Sequence, residues 1–213
     1  MGTQRLPVDY TVERTRDGRS YSNRRVVAAQ EGSVIFVMGA SFHADELGLE
    51  HQLPMPVVGE RPDELPSIHD AVRFPGGMRS TLGVIDVRVP AGYTVRHTRA
   101  EPAEHRHMWF RSSTALGDSP AEHVCLLAFA SDLMPSLIVL SRHAVSHREG
   151  FETASLDHAI WFHRSFRADR WLCYDQLSPV AFGGRGLFTG SVFTEEGLLV
   201  ATVIQEVMLR VRP

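Results

Sequence analysis

The chain has 213 residues, 43% of them hydrophobic and 22% charged, with 22 basic and 25 acidic side chains and a formal charge of -3. That is enough for one large domain or two small ones, and it excludes a miniprotein, a disordered chain and a general nucleic-acid binder with a basic block. All 22 bases are Arg, which removes lysine Schiff-base chemistry and a P-loop lysine.

Two cysteines, Cys125 and Cys173, lie among apolar neighbours with no CxxC spacing, so they read as reduced, buried thiols of a cytoplasmic protein. Met1 to Pro7 lacks the basic-then-apolar pattern of a signal peptide, and Arg212-Pro213 is no peroxisomal ending. The most apolar run, Val124 to Leu140, carries Asp132 and Pro135 and reads as too short and too polar to span a bilayer. No membrane insertion is expected.

Alternation of period two predicts strands over 8–13, 21–29, 34–42, 84–89, 106–112, 155–162, 171–177, 187–193 and 199–211, an antiparallel-sheet protein. Prolines and glycines between Phe42 and Ser80, among them Pro62, Pro66, Pro75, Gly76 and Gly77, predict an extended linker over 57–79 between a unit at 1–56 and one at 80–213. One helix is strongly signalled: Ser119 as N-cap, Pro120 as first helical residue and Glu122 completing a capping box, ahead of Val124-Cys125-Leu126-Leu127. Apolar on nearly every side, this helix is expected to be wrapped by the sheet. There is also an internal echo. Gly18-Arg19 leading to Glu31-Gly32 parallels Gly184-Arg185 leading to Glu196-Gly197, as in a duplicated strand-turn-strand unit, although two similar hairpins by chance read equally well.

Asp132 stands out as a lone carboxylate inside the apolar run, where burial demands a hydrogen bond, a partner or a proton. Pro135 removes the N–H that the Ser131 carbonyl needs, so the helix should kink or end there. Asp132 is therefore either a carboxylate beside an ordered water or an Asp at a helix end or solvent gap. Gln205 is the one polar member of the alternating face Leu199, Ala201, Val203, Gln205, Val207, Leu209, Val211, either a structural core amide or one that holds water or substrate. Ser155 and Asp157 share a strand with His158 and His163, but no Gly-x-Ser-x-Gly elbow is present, and His158 faces away from Ser155 in a regular strand. The eleven histidines, including His143 and His147, lack metal-site spacing, and Gly183-Gly184-Arg185-Gly186 precedes a strand, not a helix.

Several of these stretches carry a resemblance. Asp17-Gly18-Arg19-Ser20-Tyr21 with Arg24-Arg25-Val26 and Gln30, His51-Gln52 with Met55-Pro56, Ala130-Ser131-Asp132, Ser155-Leu156-Asp157-His158 with Trp161-Phe162-His163, Arg185-Gly186 and Gln205-Glu206 stand in the order of acyl-CoA thioesterase II. The chain resembles that double hot-dog family from about Leu6 to Arg210. The resemblance implies an α+β hot-dog fold, an antiparallel sheet wrapped around a long apolar helix. It also implies hydrolysis of fatty acyl-CoA to free fatty acid and CoA, with no cofactor or metal. The family's water-holding Asp, hydroxyl residue and Gln fall on Asp132, Ser155 and Gln205. Many family members have Thr where Ser155 stands; Ser keeps the donor and the acceptor. Arg24, Arg25 and Arg185 are expected as solvated charges, with contact of some of them to CoA phosphates as the alternative.

Against the family pattern the first unit is short, since Gly32 lies 31 residues after Met1 while Gly197 lies 117 residues past the start of the second unit. The expectation is a double hot-dog whose first unit lacks its opening strands and helix. Residues 8–42 are then expected to form a meander continuing the second unit's sheet, with an uncovered apolar face that leaves the chain poorly soluble or is hidden in a homo-oligomer. Two other readings stay open: a non-catalytic acyl-CoA-binding or assembly remnant, and a hot-dog enoyl-CoA hydratase, which would want a His close to the acid.

Overall fold

The computed structural model describes residues 2–3, 5–56, 58–71, 82–90, 105–143 and 150–211. Residues 72–79 of the expected linker, its boundary at Ser80, and His147 lie outside them. The chain divides into two compact units, Met1–His51 and Gln52–Pro213.

The first unit is a three-stranded antiparallel meander of β1 (Asp9–Asp17), β2 (Tyr21–Gln30) and β3 (Ser33–His43). Cross-strand rows such as Tyr10–Ala28–Phe36 and Val12–Val26–Met38 line up apolar side chains on one face. Tyr10, Val12, Phe36 and Met38 are exposed, and no helix occurs among this unit's described residues. Among the described residues these three strands form one sheet, in the order β1–β2–β3.

The second unit holds a seven-stranded antiparallel sheet, ordered β4 (Ile85–Arg88), β5 (His105–Ser112), β8 (Leu172–Phe182), β9 (Arg185–Thr194), β10 (Leu199–Val211) and β6 (Phe151–Ser155), with β7 (Ala159–Phe162) also paired to β10. The expected echo is visible in the strand order: β8–β9–β10 is a meander like β1–β2–β3. In both, the hairpin before the last strand turns on a left-handed glycine, Gly32 at φ 78° and Gly197 at φ 83°.

The helical run is split. Beyond a one-turn α1 (Ile68–Ala71), α2 spans Pro120–Ser131 and α3 spans Pro135–Ser141. Ser119 is the N-cap and Pro120 the first helical residue, as expected, but the Ser119 side chain makes no capping bond. Glu122 instead accepts the Gly117 N–H at 3.1 Å, so the capping box does not form. The break falls where Pro135 requires it, and the orphaned Ser131 carbonyl accepts the Tyr174 hydroxyl at 3.4 Å. The sheet takes in α3, of whose 7 residues six are buried. α2 buries only the stripe His123, Leu127, Ala130 and Ser131, and Cys125 and Phe129 are exposed. The expectations of a fully wrapped α2 and of a buried Cys125 are both corrected, because the volume inside the sheet's curve is filled by α3. By length and composition alone, residues 120–141 match a spanning helix. Here they are two helices with a break at Asp132–Met134.

One face of the sheet (Phe110, Tyr174, Phe188, Val192, Val203, Val207) packs on Leu127, Ile138, Val139 and Leu140. The other, through Trp109, Cys173 and Phe193, is covered by Met55, Val58 and Leu65 from the Pro-rich stretch. Described residues 52–71 thus belong to the second unit, and Met55, Val58, Leu65 and Ile68 pack in it. The Gln52 side chain ties them to β10, donating to Gly197 O at 2.8 Å and accepting from Leu199 N at 3.2 Å.

Candidate active site

Gln205 lies in the middle of β10 on the inward face, with no solvent exposure. Its neighbours on that face, Val203 and Val207, are buried as the alternation requires. From there Nε2 donates to Asp132 Oδ1 at 2.6 Å and to Ser155 Oγ at 2.9 Å. The Ser155 hydroxyl in turn donates to Asp132 Oδ1 at 3.4 Å. Turning the amide over would set Oε1 against the carboxylate, so charge fixes its orientation; Oε1 is buried without a hydrogen-bond partner among the described residues.

Asp132 is the C-cap of α2, with its N–H on Phe129 O at 3.3 Å. Its side chain is exposed apart from these partners. Of the two readings of Asp132, the helix end is the one the structure has, and the side chain there is hydrogen-bonded rather than buried alone. Ser155 ends β6 opposite Val207 and is exposed. Three residues separated by 23 and 50 positions in sequence thus share one hydrogen-bonded cluster open on one side.

The expected single strand over 155–162 is interrupted. Ser155 pairs with Val207 and Ala159 with Ile204, so four steps along one strand match three along β10. The extra residue breaks the alternation, as a bulge does, and re-aims the side chains that follow. His158, expected to face away from the site, lies with Nε2 3.1 Å from Ser131 Oγ, next to Asp132. Desolvation holds its imidazole below the usual range, although Asp132 and Asp157 oppose that shift. Asp157 Oδ1 accepts the Glu206 N–H at 2.7 Å. Sequence reasoning missed His158 because only the bulge, invisible in the alternation, brings it round.

The arginines considered for CoA phosphates are each ion-paired: Arg24 with Asp17, Arg25 with Glu13 and Arg185 with Glu206. A cleft of about 520 Å3 lined by Arg111, Ser113, Thr114, Arg167 and Arg170 includes none of Asp132, Ser155 or Gln205. Among the described residues no group of three or more His, Cys, Asp or Glu is placed to hold a metal ion.

The family model described as "Acyl-CoA thioesterase" matches residues 81–208, and that described as "Acyl-CoA thioesterase N-terminal domain" matches residues 1–43. Human acyl-coenzyme A thioesterase 8 is 34% identical over 227 residues, covering 100% of this chain and 70% of the relative. Acyl-CoA thioesterase 2 of Haemophilus influenzae is 34% identical over 220 residues, covering 98% and 76%. Among solved structures, acyl-CoA thioesterase II TesB2 from Mycobacterium marinum superposes with a TM-score of 0.77 at 43% identity, covering 95% of this chain and 73% of that one. The curved sheet around its helix is thus the hot-dog fold. A model match across most of the second unit, and relatives of this identity along the whole chain, mean that the protein belongs to the acyl-CoA thioesterase family, hydrolases of acyl-CoA thioesters.

Proposed function

We propose that Asp132, Ser155 and Gln205 carry out this hydrolysis through an activated water and without a covalent acyl-enzyme. The supporting observation is their mutual hydrogen bonding at 2.6–3.4 Å from three separate elements. Asp132 accepts a proton from water as the water oxygen bonds to the thioester carbonyl carbon, whose π electrons move onto oxygen. Gln205 Nε2–H holds the carboxylate and the Ser155 oxygen in place, and the Ser155 hydroxyl orients the water. When the tetrahedral species collapses, the C–S bond breaks and the proton on Asp132 passes to the CoA sulfur. One water is consumed, giving a carboxylic acid and CoA thiol. The partly exposed apolar side of α2, with Leu126 and Phe129 and with Leu133 just past its end, suits a fatty acyl chain.

The test is thiol release from several acyl-CoAs by the wild type and Asp132→Asn. A folded Asp132→Asn variant is expected to lose roughly two or more orders of magnitude in turnover. Near-normal turnover would remove Asp132 from the mechanism.

The same proposal takes 1–56 as strands of a first hot-dog unit and 80–213 as the second. It also makes the protein a cytoplasmic homo-oligomer that does not insert in membranes, supported by its two free thiols and the exposed apolar face of β1–β3.

A further inference from the structure

Three pairs of consecutive residues meet at the site, and their contacts close on themselves. Gln205 Nε2 donates to Asp132 Oδ1 at 2.6 Å. Asp132 is joined by the chain to Ser131, whose Oγ lies 3.1 Å from His158 Nε2. His158 is joined to Asp157, whose Oδ1 accepts the Glu206 N–H at 2.7 Å, and Glu206 is joined to Gln205. Leu156 N–H donates to Glu206 O at 2.9 Å and ties the loop to β10 a second time. The proton count gives this ring a direction. The one hydrogen of Ser131 Oγ goes to Ala128 O at 3.0 Å, so toward His158 the oxygen can only accept, and the imidazole donates from Nε2.

We infer that His158 is a positioning residue for the hydrolysis: its Nε2–H holds the Ser131 end of α2, and with it Asp132, in register with Gln205 on β10. The inference rests on the reading of Asp132 as the base. The described side-chain ties on the helix end besides His158 include the Gln205 and Ser155 contacts to Asp132 itself and the long Tyr174 contact to the Ser131 carbonyl. Small displacements of a reacting group cost large factors in rate.

The ring also acts through its charge. The charged groups facing it are Asp132 at the helix end and Asp157 in its own loop. A proton taken at Nδ1 keeps the Nε2–H donor but sets a cation beside the base, which makes Asp132 a weaker proton acceptor. Desolvation holds the imidazole below its usual range, against Asp132 and Asp157, and so shifts the inhibitory form toward acid.

The experiment measures kcat and KM against pH for acyl-CoA hydrolysis by the full chain as wild type, His158→Ala, His158→Gln and Asp132→Asn, with circular dichroism melts to establish folding. His158→Ala is expected to lower kcat about tenfold to a hundredfold with little change in KM. His158→Gln keeps an N–H for Ser131, so it should recover most of kcat and move the acid limb of the profile to lower pH, since no cation forms. Wild-type kcat in His158→Ala, or an unmoved acid limb in His158→Gln, overturns the inference. If His158→Ala does not fold, the His158→Gln profile decides. Asp132→Asn separates the two readings: its loss of turnover alongside unaffected His158 variants rejects the positioning role alone, and its near-normal turnover rejects both.

Discussion

The Gln205 amide reaches Asp132 Oδ1 at 2.6 Å from a position on β10 that has no solvent exposure. A donor is what that position requires. Gln205→Glu keeps the volume and sets two carboxyls in contact, so both cannot be ionised and one must take a proton. We expect this variant to lose at least about tenfold in turnover at neutral pH, to melt lower than the wild type and to regain melting temperature in acid. Gln205→Met removes the donor without adding charge; it should also be slow, yet melt without the acid rescue. A Glu variant with wild-type turnover and melting at pH 8 would show that the amide does not act as a donor.

Acid should lower stability through histidine. Desolvation places His107, His158 and His163 below the ordinary imidazole value of 6.5, with Arg164 adding to the shift of His163. The unfolded chain takes up protons near 6.5, while these groups in the folded chain take them up only at lower pH. The stability they contribute is thus fully present above about 6.5 and declines as pH falls through the folded values. Thermal midpoints between pH 5 and 8 should fall on acidification, and His107→Gln should flatten part of the slope. A midpoint rising from pH 7 toward 5.5 would contradict this.

Much of the site was legible because it breaks patterns that the fold obeys. Gln205 interrupts an otherwise apolar alternating face, and that face is buried from Val203 to Leu209. Asp132 interrupts an apolar run, and Pro135 marked the helix break beside it, which the structure has at Ser131. Ser155 came only with the family resemblance, since a serine on a strand has no periodic signature. His158 was out of reach because its placement depends on one extra residue between β6 and β7. The exposure of Cys125 was misread for a related reason: composition made every side of α2 apolar, and only the packing of α3 reveals which volume was already filled.

Gly190 on β9 holds the floor of the site in place. A Cβ there would run into Tyr174 Cε2 and lie 2.9 Å from its Cζ. Tyr174 is fully buried, wedged edge-on against Phe110 and Phe188, and its hydroxyl meets the Ser131 carbonyl. Gly190→Ala should therefore cost about 1–3 kcal/mol by overpacking and lower kcat as the ring pushes on the helix end. Chemical denaturation and thiol release together check it, and unchanged stability would mean that the tyrosine has room to move.

The two thiols should differ sharply in reactivity. Cys173 lies on β8 between Trp109 and Phe193, and burial, reinforced by Asp175, pushes its thiol up to about 12. The thiolate is the reacting species, so Cys173 is inert in the folded protein. Cys125 lies off the buried stripe of α2, two residues from Leu127 and four from the exposed Phe129, and is itself exposed. An aromatic disulfide reagent at pH 8 should titrate one thiol in the native protein and two after unfolding, and Cys125→Ser should abolish the native reaction. A native protein in which neither thiol reacts would show that the outer stripe of α2 is covered in solution, and dilution until the thiol becomes reactive would then identify the cover as a second copy of the chain.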